Sequence, residues 1–216
     1  MAKSRGMPFT AIPVFPRRLF SLSQMWVYVG AGIKSPADLV GRKVGLSTFQ
    51  TTLSVLAKGD LQSEYGVAWR KIHWIVSKEE TLPFKTQEGV SIELVPPEKK
   101  IGAMLENGEI DALMMPHPPQ AVVRGSDKIT RLFADAKQEE VRYFQKNGFY
   151  PIMHVVAFKD ELLEQHPWLA KSVTAAFELA KEACKHYYDD PNWSCLAWGR
   201  HLFEEERKIL GEDPWP

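Results

Sequence analysis

The sequence predicts an α/β protein with parallel strands, on the strength of two strand–turn–helix patterns and a composition suited to a packed core. The first pattern runs from Ser35 to Ser77. Ser35 is placed to cap free N–H groups, Pro36 suits a first helical position, and Gly41 closes that short helix. Lys43-Val44-Gly45-Leu46 then reads as a buried strand. The hydroxyl-rich turn Ser47-Thr48-Phe49-Gln50-Thr51-Thr52 opens a helix whose apolar positions are Leu53, Leu56, Ala57 and Leu61. Gly66 ends that helix, and Ile72–Val76 is the next strand. A turn of this kind at a helix start caps the helix, or offers N–H donors and a positive dipole end to an anion. The residues alone leave both readings open.

The second pattern supports the same class. Lys99–Asn107 is a short helix with Ile101, Met104 and Leu105 on one face, followed by Gly108. Ile110–Met115 is then a buried strand that delivers His117, in a loop stiffened by Pro118 and Pro119, to its carboxyl end. Open α/β sheets place ligands at such strand ends.

The remaining elements follow in order. Phe9–Phe15, interrupted by Pro13, is an edge strand or extended linker. Arg17 and Arg18 lead into an apolar strand, Met25–Val29. Glu79–Glu88 is a polar loop and Val90–Val95 an alternating strand. Gln120–Val123 starts a short helix, Ile129–Phe133 forms a further strand, and Asp135–Asn147 is an amphipathic helix with Val141 and Phe144 inward. Phe149–Phe158 is the most apolar stretch and is expected to be a buried central strand containing His154, either hydrogen-bonded in the core or facing a cleft. Asp160–His166 is helical. A helix opening at Pro167 carries Trp168, Leu169, Val173, Ala176, Phe177 and Ala180 on one face to about Tyr188. Asp189-Asp190-Pro191 breaks it, Trp193–Leu210 is a final helix, and the last six residues form a loop.

Composition excludes several classes. The chain has 216 residues, 44% of them hydrophobic and 25% charged, enough for one domain or two small lobes with real cores. Lys plus Arg and Asp plus Glu both number 27, so no net field draws nucleic acid or a membrane surface. No apolar run approaches the ~18 residues of a bilayer span. The basic start, Lys3 and Arg5, is followed by no apolar segment of signal-peptide type. Cys184 and Cys195 lack metal-type spacing and are expected to stay reduced. There is no G-x-G-x-x-G, phosphate-binding loop, H-E-x-x-H or G-x-S-x-G. Chemistry, if performed, would rest on Arg, His and hydroxyl groups acting on an anionic substrate by acid–base steps and charge stabilisation. No cofactor or metal follows from the residues.

Six segments, "AIPVFPRRLF", "GIKSPADLVGRKVGL", "QTTLSVLAKGDLQSEYGV", "GEIDALM", "YPIMHVVAF" and "EQHPWLAKSVTAAFELAK", together resemble the 4,5-dihydroxyphthalate decarboxylase family across nearly the whole chain. "SPADLVGRKVG" is shared with many solute receptors, whereas "IPVFPRR" and "YPIMHVV" in that order are more specific. The resemblance implies a two-lobed fold of the type II periplasmic-binding-protein kind, with a ligand held by strand ends and helix starts. Members of the family carry a further stretch before the segment that opens here and continue past "DPWP". The expectation is therefore a complete lobe II, residues 30–146, and a partial lobe I, residues 1–29 and 147–216. A second copy, or a partner supplying the absent part, is the expected cover for lobe I.

The resemblance also implies a site. Arg18 would pair a carboxylate bidentately. Ser23, Thr48, Gln50 and Thr51 would contribute to substrate binding, with a second oxyanion at the helix start after Ser47. His117 joins the binding set by its place at a strand end, although "PHPPQ" departs from the family pattern there. His154 would act as the catalytic acid. The implied activity is non-oxidative decarboxylation of a small anionic aromatic carboxylate, in the cytoplasm. The alternative is a substrate-binding protein handing an aromatic or carboxylate solute to an ABC-type permease. A receptor needs an export signal and no acid; an enzyme needs a placed acid.

Overall fold

A computed structural model of the chain describes residues 3–190 and 192–213. The helix break expected at Pro191 and the end of the terminal loop, residues 214–216, lie partly outside the described residues. The chain divides into two compact units, one formed by Phe20–Lys146 and the other by the flanking segments up to Leu19 and from Asn147.

The first flanking segment holds β1 (Phe9–Ala11) and β2 (Arg17–Arg18). The inner unit follows with β3 (Met25–Tyr28), β4 (Lys43–Leu46), α1 (Thr52–Tyr65), β5 (His73–Val76), β6 (Ser91–Leu94), α2 (Ile101–Glu106), β7 (Ala112–Met114), α3 (Gln120–Val123), β8 (Ile129–Arg131) and α4 (Ala136–Asn147). The second flanking segment holds β9 (Ile152–His154), β10 (Ala157–Lys159), α5 (Asp160–Gln165), α6 (Leu169–Asp189) and α7 (Gly199–Leu210).

The inner unit is built on a six-stranded sheet in the order β6-β5-β4-β7-β3-β8. β6, β5, β4 and β7 are parallel, and β3 runs antiparallel between β7 and β8. Period-two alternation sorts the strands' side chains into two cores, as a pleated strand requires. Met25, Val27, Val44, Leu46, Trp74, Val76, Ala112 and Met114 join one cluster. Trp26, Ile75 and Leu113 join the other. The sequence-based boundary at residue 30 assigns Met25–Tyr28 to the flanking pieces. The structure instead places that strand inside this sheet, because its alternating residues bury on both faces.

Local signals explain the connections. Ser35 and Asp38 form a reciprocal cap around the short helix at Pro36–Leu39: the Ser35 backbone N–H and hydroxyl both reach the Asp38 carboxylate. At the end of α1, Gly66 adopts φ +66° while its N–H bonds back to Gln62. The Val67 N–H returns to Leu61, a left-handed helix stop that favours glycine. Asp135 caps α4 through the Gln138 N–H. On α4 the buried aromatic is Tyr143; Val141 and Phe144, expected to point inward, are only half-buried.

The flanking unit departs most from expectation. Phe149–Phe158 is not one buried central strand. It splits into β9 and β10, each in an antiparallel two-stranded ladder, with β2 and β1 respectively. With one hydrogen-bonded partner per strand, the stretch buries Pro151 and Met153 while Ile152, His154 and Val155 stay exposed. The apolar face expected on α6 is real in pattern but buries no residue: Phe177 is 41% exposed, and Trp168, just before the helix, 62%. The final helix begins at Gly199, six residues later than Trp193 suggested, after irregular chain in which Ser194 Oγ accepts the Leu196 N–H. Both cysteines are free thiols. Among the described residues, no helix is long and apolar enough to cross a membrane.

Candidate functional site

In the inner unit, topology gathers the candidate residues. β5, β4 and β7 are parallel neighbours, so the loops leaving their carboxyl ends share one edge of the sheet. Those loops carry Thr48, Gln50 and Thr51 after β4, Glu80 after β5, and His117 after β7. β3 runs the other way, so its start lies at the same edge, with Met25 opposite Met114. Ser23 therefore joins them. Ligands of open α/β sheets bind at this kind of edge.

The loop between β4 and α1 is held closely. Thr51 caps α1, its Oγ1 accepting the Ser54 N–H at 3.2 Å, and Ser54 Oγ donates to the Thr48 carbonyl at 2.7 Å. The Ser47 carbonyl accepts from the Ser77 and Lys78 N–H groups, tying the ends of β4 and β5 together. Thr51→Ala is expected to lower stability by about 1 kcal/mol, the usual worth of such a cap. A urea unfolding midpoint with unchanged slope checks it.

The oxyanion expected at this helix start is supplied internally. The Glu80 carboxylate accepts the Phe49 and Gln50 N–H groups, and the Gln50 side-chain amide donates to both Glu80 and the Leu82 carbonyl. Glu80 was not legible as a site residue, since it sits in a polar loop some thirty residues from its partners. Ser23 is likewise engaged: its N–H donates to Glu140 at 2.8 Å, its hydroxyl accepts from Gln24, and its carbonyl accepts from Arg131. Burial pushes the Glu140 carboxyl up from its ordinary range, against the pull of its bonds to Ser23. His117 is exposed.

Lys58 is the other residue the sequence concealed. It lies one helical turn beyond Ser54 and is only 6% exposed. Its Nζ donates to the Phe49 carbonyl at 2.6 Å and stands 3.1 Å from the Phe49 ring centroid. Burial pushes this ammonium down from 10.5 to about 7, with the Glu80 charge opposing the shift. Between about pH 7 and 10.5 the unfolded chain therefore holds a proton that the folded chain has released, and stability rises with pH over that window. Lys58→Met is expected to remove this component. The checking measurement is urea unfolding of both proteins at pH 7 and pH 9, where the gain in the variant should be the smaller.

Arg18 and His154 belong to the flanking unit. Arg18 Nη1 donates to the Tyr150 carbonyl at 3.1 Å while Tyr150 Oη donates to the Arg18 carbonyl at 3.2 Å, and the Phe15 ring lies 5.4 Å from the guanidinium. His154 is exposed at the end of β9, in register with Arg17. Arg17 and Arg18 also line a cavity of about 960 Å³ within their own unit, with Phe177, Lys181, Tyr188 and Phe203 among its walls. His154 is not among its lining residues.

The fold is of the type II periplasmic-binding-protein kind. The periplasmic aliphatic sulphonate-binding protein SsuA of Escherichia coli matches with a TM-score of 0.52 at 15% identity, over 98% of this chain and 56% of that one. A Bordetella bronchiseptica protein matches with a TM-score of 0.50 at 16% identity, over 99% and 57%. No protein-family model matches the chain. In sequence it is 32% identical to the 4,5-dihydroxyphthalate decarboxylase of Comamonas testosteroni, over 96% of this chain and 66% of that protein. It is 29% identical to the 4,5-dihydroxyphthalate decarboxylase of Pseudomonas putida, over 59% of this chain and 52% of that protein. The chain is thus a homologue of the 4,5-dihydroxyphthalate decarboxylases, spanning between half and two thirds of these relatives' length.

Proposed function

We propose that the chain carries out the decarboxylation named for its relatives, taking 4,5-dihydroxyphthalate or a close aromatic dicarboxylate as substrate. The observation that carries this reading is the likeness to two curated decarboxylases, one of them matched over 96% of the chain. Its chemistry needs what the candidate residues offer. A ring hydroxyl para to the departing carboxylate feeds electron density to the ipso carbon. That carbon takes a proton, the bond to the carboxylate breaks, and its electron pair restores the aromatic ring as neutral CO2 leaves. The product is 3,4-dihydroxybenzoate.

His154 is the proposed proton donor, and Arg18 the cation for the carboxylate that remains. Within the inner unit, Thr48 and His117 at the strand-end edge are proposed as ligand-binding positions. Ser23, Gln50 and Thr51 hold the surrounding backbone, since their polar groups are committed to Glu140, Glu80 and Ser54. The test of binding is thermal unfolding with and without 4,5-dihydroxyphthalate. A midpoint raised in proportion to the logarithm of ligand concentration is expected, because only the folded chain binds. An unmoved midpoint at millimolar ligand contradicts the reading.

A further inference from the structure

We propose that Lys58 and Glu80 are positioning residues that clamp the Ser47–Thr51 loop from both sides of the Phe49 residue and so fix the strand-end edge that meets the ligand. The ligand-facing part of this statement rests on the function proposed above; the clamp itself rests on geometry. Glu80 accepts the Phe49 N–H, and Lys58 Nζ donates to the Phe49 carbonyl at 2.6 Å. Glu80 reaches one residue further, accepting the Gln50 N–H and side-chain amide, both at 3.2 Å. The Phe84 ring, from the same loop as Glu80, stacks on Phe49 with centroids 5.6 Å apart. Two segments distant in sequence thus converge on one residue of the loop.

The clamp's two arms are unequal. Among the described residues packed on Lys58, the loop after β5 supplies the charge of Glu80. The turn at Trp69 and strand β5 supply indole faces, 5.8 Å and 5.6 Å from Nζ, and the loop before α1 supplies Phe49. A protonated Lys58 gains from Glu80 and from the ring face at 3.1 Å. Burial costs the ammonium more than these contacts return, so the closed loop is best served by the neutral amine, which keeps its hydrogen bond to the Phe49 carbonyl. Burial brings this proton's release to about pH 7, so the loop is held closed on the alkaline side of neutrality, where Lys58 is neutral, and loosened on the acid side as the buried amine takes up a proton. Loosening acts on Thr48 and Gln50, which flank the clamped residue.

The test follows the Phe49 and Gln50 backbone amide resonances of the full chain by NMR from about pH 5.5 to 8.5, in wild type, Lys58→Met and Glu80→Gln. Affinity for 4,5-dihydroxyphthalate is measured alongside, at either end of that range. Both amides are expected to shift in wild type with a midpoint near pH 7. The step is expected to vanish in Lys58→Met and to move to lower pH in Glu80→Gln, where the supporting charge is gone. Wild-type affinity is expected to rise about tenfold from the acid to the alkaline end of the range, a change of about 1.4 kcal/mol. Resonances that stay flat in wild type, or a step that persists in Lys58→Met, overturn the clamp; should Lys58→Met fail to fold, the shift in Glu80→Gln decides. A step with the expected mutant response but no ligand binding at any pH supports the clamp and removes the functional reading. Binding that is equally tight at both pH values overturns the positioning role and leaves the functional reading standing.

Discussion

His154→Asn is expected to cut CO2 release from 4,5-dihydroxyphthalate by at least about 100-fold while leaving ligand affinity within about tenfold. A placed general acid contributes about 10²–10⁴-fold, and losing it raises the barrier without removing the groups that hold the substrate. The side chain is exposed at the end of a short strand, so the substitution is expected to change stability by no more than about 0.5 kcal/mol. Asparagine retains polarity and size near that of the imidazole but cannot deliver a proton. Turnover by single-exposure CO2 trapping and affinity by calorimetry check the split. If turnover survives, the proton comes from another group; if binding collapses with it, His154 is a binding residue.

The second large effect concerns the platform on which the inner site stands. Trp74→Ala is expected to destabilise the chain by about 3–5 kcal/mol, the usual range for deleting a fully buried large aromatic. Trp74 is 0% exposed in the middle of β5 and sits edge-on to Phe49, with centroids 6.0 Å apart. Its Nε1 donates to the Trp69 carbonyl at 3.0 Å, so truncation also leaves that carbonyl without its indole partner. Domains are stable by only about 5–15 kcal/mol, so a loss of this size moves the urea midpoint far below wild type. A change under about 1 kcal/mol would contradict the packing described for this core.

Much of the inner unit was legible because its signals are local. Alternation in Val44–Leu46 and Trp74–Val76, the Ser35 and Thr51 caps and the Gly66 stop all act within a few residues of themselves. The parallel order that brings Thr48 and His117 to one edge follows from two helix-linked strand pairs. The flanking unit was harder, since apolar composition in Phe149–Phe158 and on α6 reports a capacity for burial and does not name a partner. β9 and β10 found partners in β2 and β1, and among the described residues nothing buries a side chain of α6. The site's least legible parts were Glu80 and Lys58. A glutamate that accepts backbone N–H groups leaves no pattern at the residues it serves, and a lysine in mid-helix looks like any solvated lysine until its aromatic surroundings are seen.

The central claim is that the chain binds an aromatic dicarboxylate and releases CO2 from it. Incubating the purified chain with 4,5-dihydroxyphthalate and following CO2 and 3,4-dihydroxybenzoate together tests it most directly. The expected result is equal, catalytic amounts of both products, dependent on His154. A ligand that stabilises the fold yet yields neither product would contradict the decarboxylase reading and favour a solute-binding protein.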